Sequence, residues 1–354
     1  MKILIVGAGP VGLATALELA HHGVKAELIE KRSGPSEFSR AVGIIPLTRY
    51  NLRHEGVGEA IFNEAMRWTH FQIYRGEKTL LDLDLRDKIK PEEAVLGLPQ
   101  DRTETLIREG LARLGVTTHY NTEATNITTT DEQATVTFAD GRVESYDWVL
   151  ACDGKHSSMR EQLGIAYPGY DIPEQWSIAD IDMDDSFDCS RIRFWIQGEH
   201  GHMATCLPIE KYRARALSST PDALATIPVD LGVKRVRRQG TFTISVRQAE
   251  TYRQGRVLLA GDAAHCHSPI GGRGMNLGID DAIAAAHAIL QDTVEYYSAE
   301  RHAVGAKILK TTESLRKKLS SEKLTDKAFL SLALGAVQNI EALHGGLIRQ
   351  IGAL

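Results

Sequence analysis

The chain has 354 residues, 43% of them hydrophobic and 25% charged, and carries a net charge of -5 at neutral pH. That length supports a large core and about two domains, and the composition is that of an ordinary globular protein. The negative balance argues against a nucleic-acid surface, no apolar run is long enough for a membrane helix, and Cys152, Cys189, Cys206 and Cys266 lack any zinc spacing and read as reduced thiols.

Residues 2–6 form a short apolar run, Gly7, Gly9 and Gly12 punctuate a tight turn, and residues 13–22 repeat apolar positions at helical spacing. This is strand, turn, helix. A second apolar run, 24–29, ends on Glu30, eighteen residues after Gly12. Each part suits a dinucleotide: Gly7 permits the turn, Gly9 lets a pyrophosphate approach the backbone, and Gly12 lets the helix pack closely on the strand. The phosphates would meet the free N–H groups and positive dipole end of the helix N-terminus. Glu30 would accept from the ribose hydroxyls, which predicts an unphosphorylated ribose. A lone glycine motif also marks an ordinary strand-to-helix turn, but here strand, helix and spaced acid occur together. The motif does not choose between FAD and NAD. Because the first apolar run is broken by glycines and continues into the fold, it does not read as a signal peptide, and the expected location is cytoplasmic.

Lys31 and Arg32 open a turn, and Arg40 follows a polar loop, placed either to fork onto a phosphate or ribityl oxygen or to stay solvated. Residues 48–64 look helical. Residues 71–85 read as a hairpin around Gly76 that leaves the nucleotide-binding part. An amphipathic helix spans 103–114, and strands follow at 116–120, 124–128 and 134–138, with a turn at Asp140-Gly141. The buried strand 146–152 ends on Asp153-Gly154, a position that serves equally as a ligand site at a strand end or as a helix cap. From 168 to 248 the pattern changes to strands, a second, sheet-rich layer in which Trp176, Phe194, Trp195, Met203 and Phe242 either wall a cavity or fill the core. The basic cluster 234–238 reads as a solvated strand or loop. Residues 255–260 form a strand that stops at Gly261-Asp262, and a glycine-rich loop, 266–276, then opens a helix over 277–291. A second helix N-terminus is thus offered to a ligand, with Asp262 able to accept from a sugar hydroxyl. Residues 294–354 are largely helical and end in an apolar segment whose default is packing on the body, with a dimer face or a membrane surface as alternatives.

Three separated stretches, the N-terminal glycine motif with Glu30, Asp153-Gly154, and residues 256–282 (RVLLAGDAAHCHSPIGGRGMNLGIDDA), together resemble the class A FAD-dependent aromatic monooxygenases of the para-hydroxybenzoate hydroxylase fold. The resemblance runs from Met1 to about Arg301. It implies an α/β architecture: a discontinuous Rossmann-like FAD-binding domain (1–70, 98–167, 249–300), an inserted mixed or antiparallel substrate sheet (71–97, 168–248) and a helical C-terminal segment (301–354). It places the ADP half of FAD on Gly7, Gly9, Pro10, Val11, Gly12, Glu30, Lys31 and Arg32, and the ribityl chain on Asp262. Asp153 is implied near the cofactor and the nicotinamide approach, with flavin or ribityl contacts from Arg40 and Gln100 and an adenine contact near Ala124. Pro269, Gly272, Arg273, Gly274, Met275 and Asn276 are implied around the isoalloxazine. The chain departs from the family pattern in that Arg273 stands where many members have Gln, no Trp-Lys-Leu follows in 284–290, the substrate sheet is expected to be short, and no thioredoxin-like C-terminal domain of the phenol hydroxylase kind is expected.

The implied chemistry is reduction of FAD by NADPH or NADH, uptake of O₂, and transfer of one oxygen from a flavin hydroperoxide to a phenolic or polyketide-like aromatic substrate. No side chain is assigned as catalytic; His202 and His267 are the histidines weighed as a base and not placed as one. No metal is expected, and a homodimer is possible. The rivals are a flavin reductase or dehydrogenase acting on a quinone or prenyl compound, and a non-catalytic flavin-binding or sequestering protein.

Overall fold

The computed structural model describes residues 1–36, 40–185, 187–188 and 190–340. The expectations for Cys189 and for 341–354 lie outside the described residues. Residues Ile3–Val6 are buried on both faces, as an interior parallel strand requires. Among the described residues six strands form this sheet, in the order Arg253–Gln254, Val257–Leu259, Trp148–Ala151, Ile3–Val6, Glu27–Ile29, Thr118–His119. All neighbours are parallel except the Arg253–Gln254 hairpin. The chain builds outward from Ile3–Val6 on one side and later lays Trp148–Ala151 on the other. Ligands of such sheets bind outside the carboxyl ends of the strands, where the order reverses. Val6 pairs with Ile29 on one side and Ala151 on the other, and Ala151 with Leu259. The segments that follow all four strands therefore leave one edge together.

Two helices pack on this sheet and on each other, Pro10–His21 and Gly274–Leu290. Their closeness depends on glycine. A β-carbon at Gly278 would lie 2.7 Å from Val11 Cγ2, and one at Gly261 would meet the same methyl at 2.7 Å. Val11 thus fills a notch made of two missing side chains.

A second sheet of eight strands, counted among the described residues, runs His265–Cys266, Val233–Gln248, Gly169–Met183, Arg213–Ser218, Ala204–Glu210, Arg191–Trp195, His70–Arg75, Lys78–Asp84. It is antiparallel except where Arg191–Trp195 runs parallel to His70–Arg75. Its odd positions Ala179 and Ile181 face one core with Trp195, Ala214 and Ala216. Asp180 and Arg215 face the other way, because Arg215 Nη1 donates to the carbonyls of Arg40 (3.0 Å) and Ala41 (3.2 Å). The sheet joins the first layer through His265–Cys266, which follows the Gly261 turn and pairs at once with Arg247 and Gln248.

Some local expectations change. Residues 48–64 are not one helix but Pro46–Asn51 and Val57–Glu64, split where Gly56 takes φ 70°. The strand Val95–Gly97, grouped by sequence with the substrate sheet, instead pairs with Gly43–Ile44 and Met66–Trp68. The reason is Trp68: a β-carbon on Gly97 would sit 2.4 Å from its indole nitrogen, so only glycine lets this strand lie under the ring. The basic cluster 234–238 is the exposed outer part of Val233–Gln248, where Arg237 pairs with Asp182 (2.6 Å) and Arg238 with Asp180 (2.9 Å). The helix Leu324–Asn339 packs Leu334 and Val337 on Leu81, Leu83 and Leu85.

Candidate flavin site

The site is the shared carboxyl edge of the six-stranded sheet. After Ile3–Val6 the backbone turns at Gly7 (φ 101°), where a β-carbon would lie 2.5 Å from the Cys152 carbonyl oxygen. Gly12 admits none either, since its β-carbon would be 1.9 Å from the Gly7 oxygen. Gly9 is different: a β-carbon there would meet nothing within 4 Å. That open direction lies at the start of the Pro10–His21 helix, whose first turn has no capping side chain and no acid, with Pro10 supplying no N–H of its own. A phosphate fits this cradle because it supplies the negative charge and acceptors that the helix end lacks.

Glu30 closes the adenosine side. Its buried carboxylate accepts from Ala8 N (3.0 Å) and from Arg32 N, Nε and Nη2 (each 3.0 Å). Burial alone raises its pKa, but these donors outweigh it and hold the group below the ordinary carboxylate range, so it is an anion ready to accept. Arg32 is thus spent on Glu30, while Lys31 points to solvent. Ala124, itself buried, begins the strand Ala124–Thr129 two residues beyond Thr122, whose N–H donates to the Glu30 carbonyl (3.0 Å).

After Trp148–Ala151 come Asp153 and Gly154. Asp153 Oδ2 accepts from Met159 N (3.2 Å) and Ser158 Oγ (3.4 Å), which is the capping role. Its Oδ1 is buried without a hydrogen-bond partner, and burial raises the carboxyl pKa. One oxygen thus serves the start of the following helix, and the other is an acceptor a ligand would satisfy.

Asp262 follows Gly261 (φ 63°) and is exposed, and the protein around its carboxylate raises its pKa. His265, Arg40 and Lys155 are close enough to oppose that rise. The Arg40 guanidinium lies 5.3 Å from the Phe242 ring centroid, which brings the Arg40 loop against the second sheet. Gln100 braces the Arg40 loop: its N–H donates to the Ala41 carbonyl (3.1 Å) and its Oε1 accepts from Ala41 N (3.4 Å).

The loop from Pro269 opens into the Gly274–Leu290 helix, whose N-terminus also lacks a capping side chain. Gly272 takes φ 63° with open space around it, as Gly274 has, so backbone can be approached there. Arg273 is partly buried, which lowers its pKa, and Met275 is buried. Asn276 is committed to the scaffold. It accepts from Ile45 N (3.2 Å) and donates to the Gly43 (2.9 Å) and Gly272 (2.7 Å) carbonyls, so it sets where the loop lies.

Sequence reasoning missed the network under this loop. Asp281, fully buried, accepts from Gly261 N (3.1 Å), meets His265 Nε2 (2.6 Å) and accepts from Arg301 Nε (2.7 Å). Burial would raise its pKa, but His265 and Arg301 outweigh that and keep it ionised. It pins the Asp262 turn to two helices, and only a salt bridge spanning Asp281 to Arg301 in the fold reveals it. His267 is no ready base at neutral pH: Nδ1 donates to the Ser268 carbonyl (2.9 Å), and burial pushes its pKa down to about 4. His202 lies in the second sheet region after the Glu199–Gly201 turn, beside His200.

The apolar side chains named from sequence divide. Trp195 stacks on Tyr74 in the far core. Trp176, Met203 and Phe242 cluster with Ile270 of the glycine-rich loop. Phe194 ends a row across the sheet on the Arg215 face whose other members the sequence did not single out: Ile178 pairs with Leu217, Leu217 with Thr205, Thr205 with Phe194, and all four are half-buried.

The family model described as "FAD binding domain" matches residues 1–312. The chain is 30% identical over 345 residues to 6-methylpretetramide 4-monooxygenase of Streptomyces rimosus, an alignment covering 88% of this chain and 61% of that protein. It is 27% identical to dialkyldecalin synthase of Streptomyces rugosporus, covering 99% of this chain and 80% of that one. The fold is that of p-nitrophenol 4-monooxygenase PnpA from Pseudomonas putida DLL-E4, with a TM-score of 0.85 at 23% identity, covering 99% of this chain and 98% of that chain. Among the described residues no helix is long and apolar enough to cross a membrane.

Proposed function

This chain belongs to the family of FAD-dependent aromatic monooxygenases, and on that premise we propose that it uses NADPH or NADH and O₂ to hydroxylate an electron-rich aromatic compound, a phenol or a polyketide-derived ring. The observation that carries the reading is the convergence of Gly7–Gly12, Glu30, Asp153 and Asp262 on one sheet edge facing a second sheet. Bound FAD supplies the redox and oxygen chemistry. The protein binds, orients and excludes water. Gly9 and the Pro10–His21 N-terminus would hold the pyrophosphate, Glu30 the adenosine ribose, and Asp262 and Arg40 the ribityl chain. The Gly272–Gly274 amides, at a second positive helix end, would offer N–H donors to an oxygen of the bound ring system. The eight-stranded sheet is the substrate layer, and the row Ile178, Leu217, Thr205 and Phe194 is its floor: apolar area for a ring, with one hydroxyl. The location that fits is the cytoplasm, where reduced nicotinamide and free thiols are maintained.

Purified protein is expected to carry noncovalent FAD, and Asp262→Ala should weaken it ten- to a hundred-fold, the loss of one charge-assisted hydrogen bond of about 1.5–3 kcal/mol. Titration of the deflavinated protein with FAD measures this, and unchanged affinity would remove Asp262 from the site. The reaction is tested by screening phenols and polyketide aromatics for substrate-stimulated NAD(P)H oxidation under ¹⁸O₂. One labelled oxygen in the product is the expected result. Hydrogen peroxide alone with every ligand would point to an oxidase or reductase, and a product of unchanged mass formed without O₂ would point to cyclisation chemistry.

A further inference from the structure

We propose that Glu18, His22 and His287 form a binding site for a divalent metal ion of the zinc type, at the end of the first helix remote from the flavin edge. Glu18 lies in the Pro10–His21 helix and His22 caps its C-terminus four residues on, so both side chains share one helix face. His287 comes from the last turn of Gly274–Leu290. His287 Nε2 is 2.7 Å and His22 Nε2 3.2 Å from Glu18 Oε1, and the three donor atoms lie within 4.8 Å of one another. Ligands placed about 2.0–2.1 Å from a tetrahedral zinc are about 3.3 Å apart, so small side-chain adjustments gather these three around one ion. Two imidazoles and a carboxylate suit zinc and its neighbours in the series far better than magnesium or calcium, which prefer all-oxygen shells.

A hydrogen-bonded cluster around a buried carboxylate accounts for His22 and His287, because each can donate to Glu18. It does not account for His54. That side chain is 9% exposed, its Nε2 lies 3.2 Å from Glu18 Oε2, and the nitrogen makes no hydrogen bond among the described residues. Buried ring nitrogens are normally satisfied. An unpartnered imidazole nitrogen aimed at the same carboxylate is what a fourth ligand position requires, to be taken by His54 itself or by water. His21 holds the His54 ring from behind, stacked at 3.6 Å.

The placement gives the ion a job. Val11 lies against Gly278 at one end of the helix pair and Glu18 against His287 at the other, so the helices run parallel. Their N-termini are the two that face the flavin edge. A metal joining Glu18 and His22 to His287 fixes the register of both from the far end.

The test uses the full chain with FAD bound, dialysed against chelator and titrated with Zn²⁺ in competition with a chromogenic chelator, with native mass spectrometry for stoichiometry. One zinc per chain and a raised melting temperature are expected, with no rise from Mg²⁺. His22 and His287 are 45% and 41% exposed, so alanine at either should leave the fold and FAD content unchanged. Each should weaken zinc binding at least tenfold, and the pair at least a hundredfold. No stoichiometric zinc in the parent protein, or zinc affinity unchanged in the double variant, would overturn the site.

Discussion

Valine at position 9 is expected to leave the fold standing and to abolish FAD binding. A β-carbon there meets nothing of the protein, so the substitution introduces no clash, but its branches fill the space a pyrophosphate needs. If two backbone hydrogen bonds to the charged group go with it, each of about 1.5–3 kcal/mol, affinity should fall a hundredfold or more. Gly12→Val is the contrasting case three residues away. Its β-carbon would lie 1.9 Å from the Gly7 oxygen and 3.3 Å from Ile5 Cγ2, so helix and strand must part, at a cost of about 3 kcal/mol or more. Melting of the flavin-free proteins, beside their bound-flavin absorbance, separates the two. A Gly9→Val protein that still purifies with stoichiometric FAD would remove the first turn from the cofactor site.

Arg215→Met should be the most destabilising single change in the second sheet, by about 3–5 kcal/mol, because it leaves a buried carboxylate with too little compensation. Arg215 is fully buried and grips Asp180 through Nε (2.7 Å) and Nη2 (2.8 Å). Burial raises the Asp180 pKa, but Arg215 first and Arg238 next outweigh it, and the carboxyl is held below its usual value. In the parent protein the pair therefore stabilises above the unfolded carboxylate pKa, and that contribution is lost as pH falls from there through the lower native pKa. Removing Arg215 reverses the sign: the Asp180 pKa rises, the deficit is greatest at neutral pH, and it narrows on acidification as the carboxyl takes up a proton. Urea melts at pH 7 and near pH 4.5 should show that narrowing. A deficit independent of pH would mean that lost packing, not the uncompensated charge, is responsible. Since Arg215 also holds the Arg40 and Ala41 carbonyls, FAD affinity of the folded fraction should weaken with it.

The first layer was legible from the sequence because its signals are local. A strand, three glycines, a helix and an acid at fixed spacing define one supersecondary unit, and the backbone clashes that forbid side chains at Gly7 and Gly12 arise between near neighbours or directly paired strands. The Gly261-Asp262 turn and the helix after it were legible for the same reason. What the sequence left even, or did not show, depends on partners far along the chain. Asp153 read equally as a cap or a ligand, and only the fold shows Oδ2 taken by the Met159 N–H and Oδ1 left without a hydrogen bond. Asn276 carries its amide to Gly43 and Ile45, more than 230 residues away, and nothing near it in sequence reveals that acceptor and donor. The half-buried row Ile178, Leu217, Thr205, Phe194 exists only because three antiparallel registers bring its members abreast, and a shift of one residue in any of them would turn that side chain to the other face. The imidazoles around Glu18 come from three segments whose separation in sequence hides a spacing of a few ångströms. Local backbone geometry is written in neighbouring residues and can be read there. Strand register and the pairing of buried charges are set by the balance of burial across the whole molecule, and the tertiary structure alone decides them.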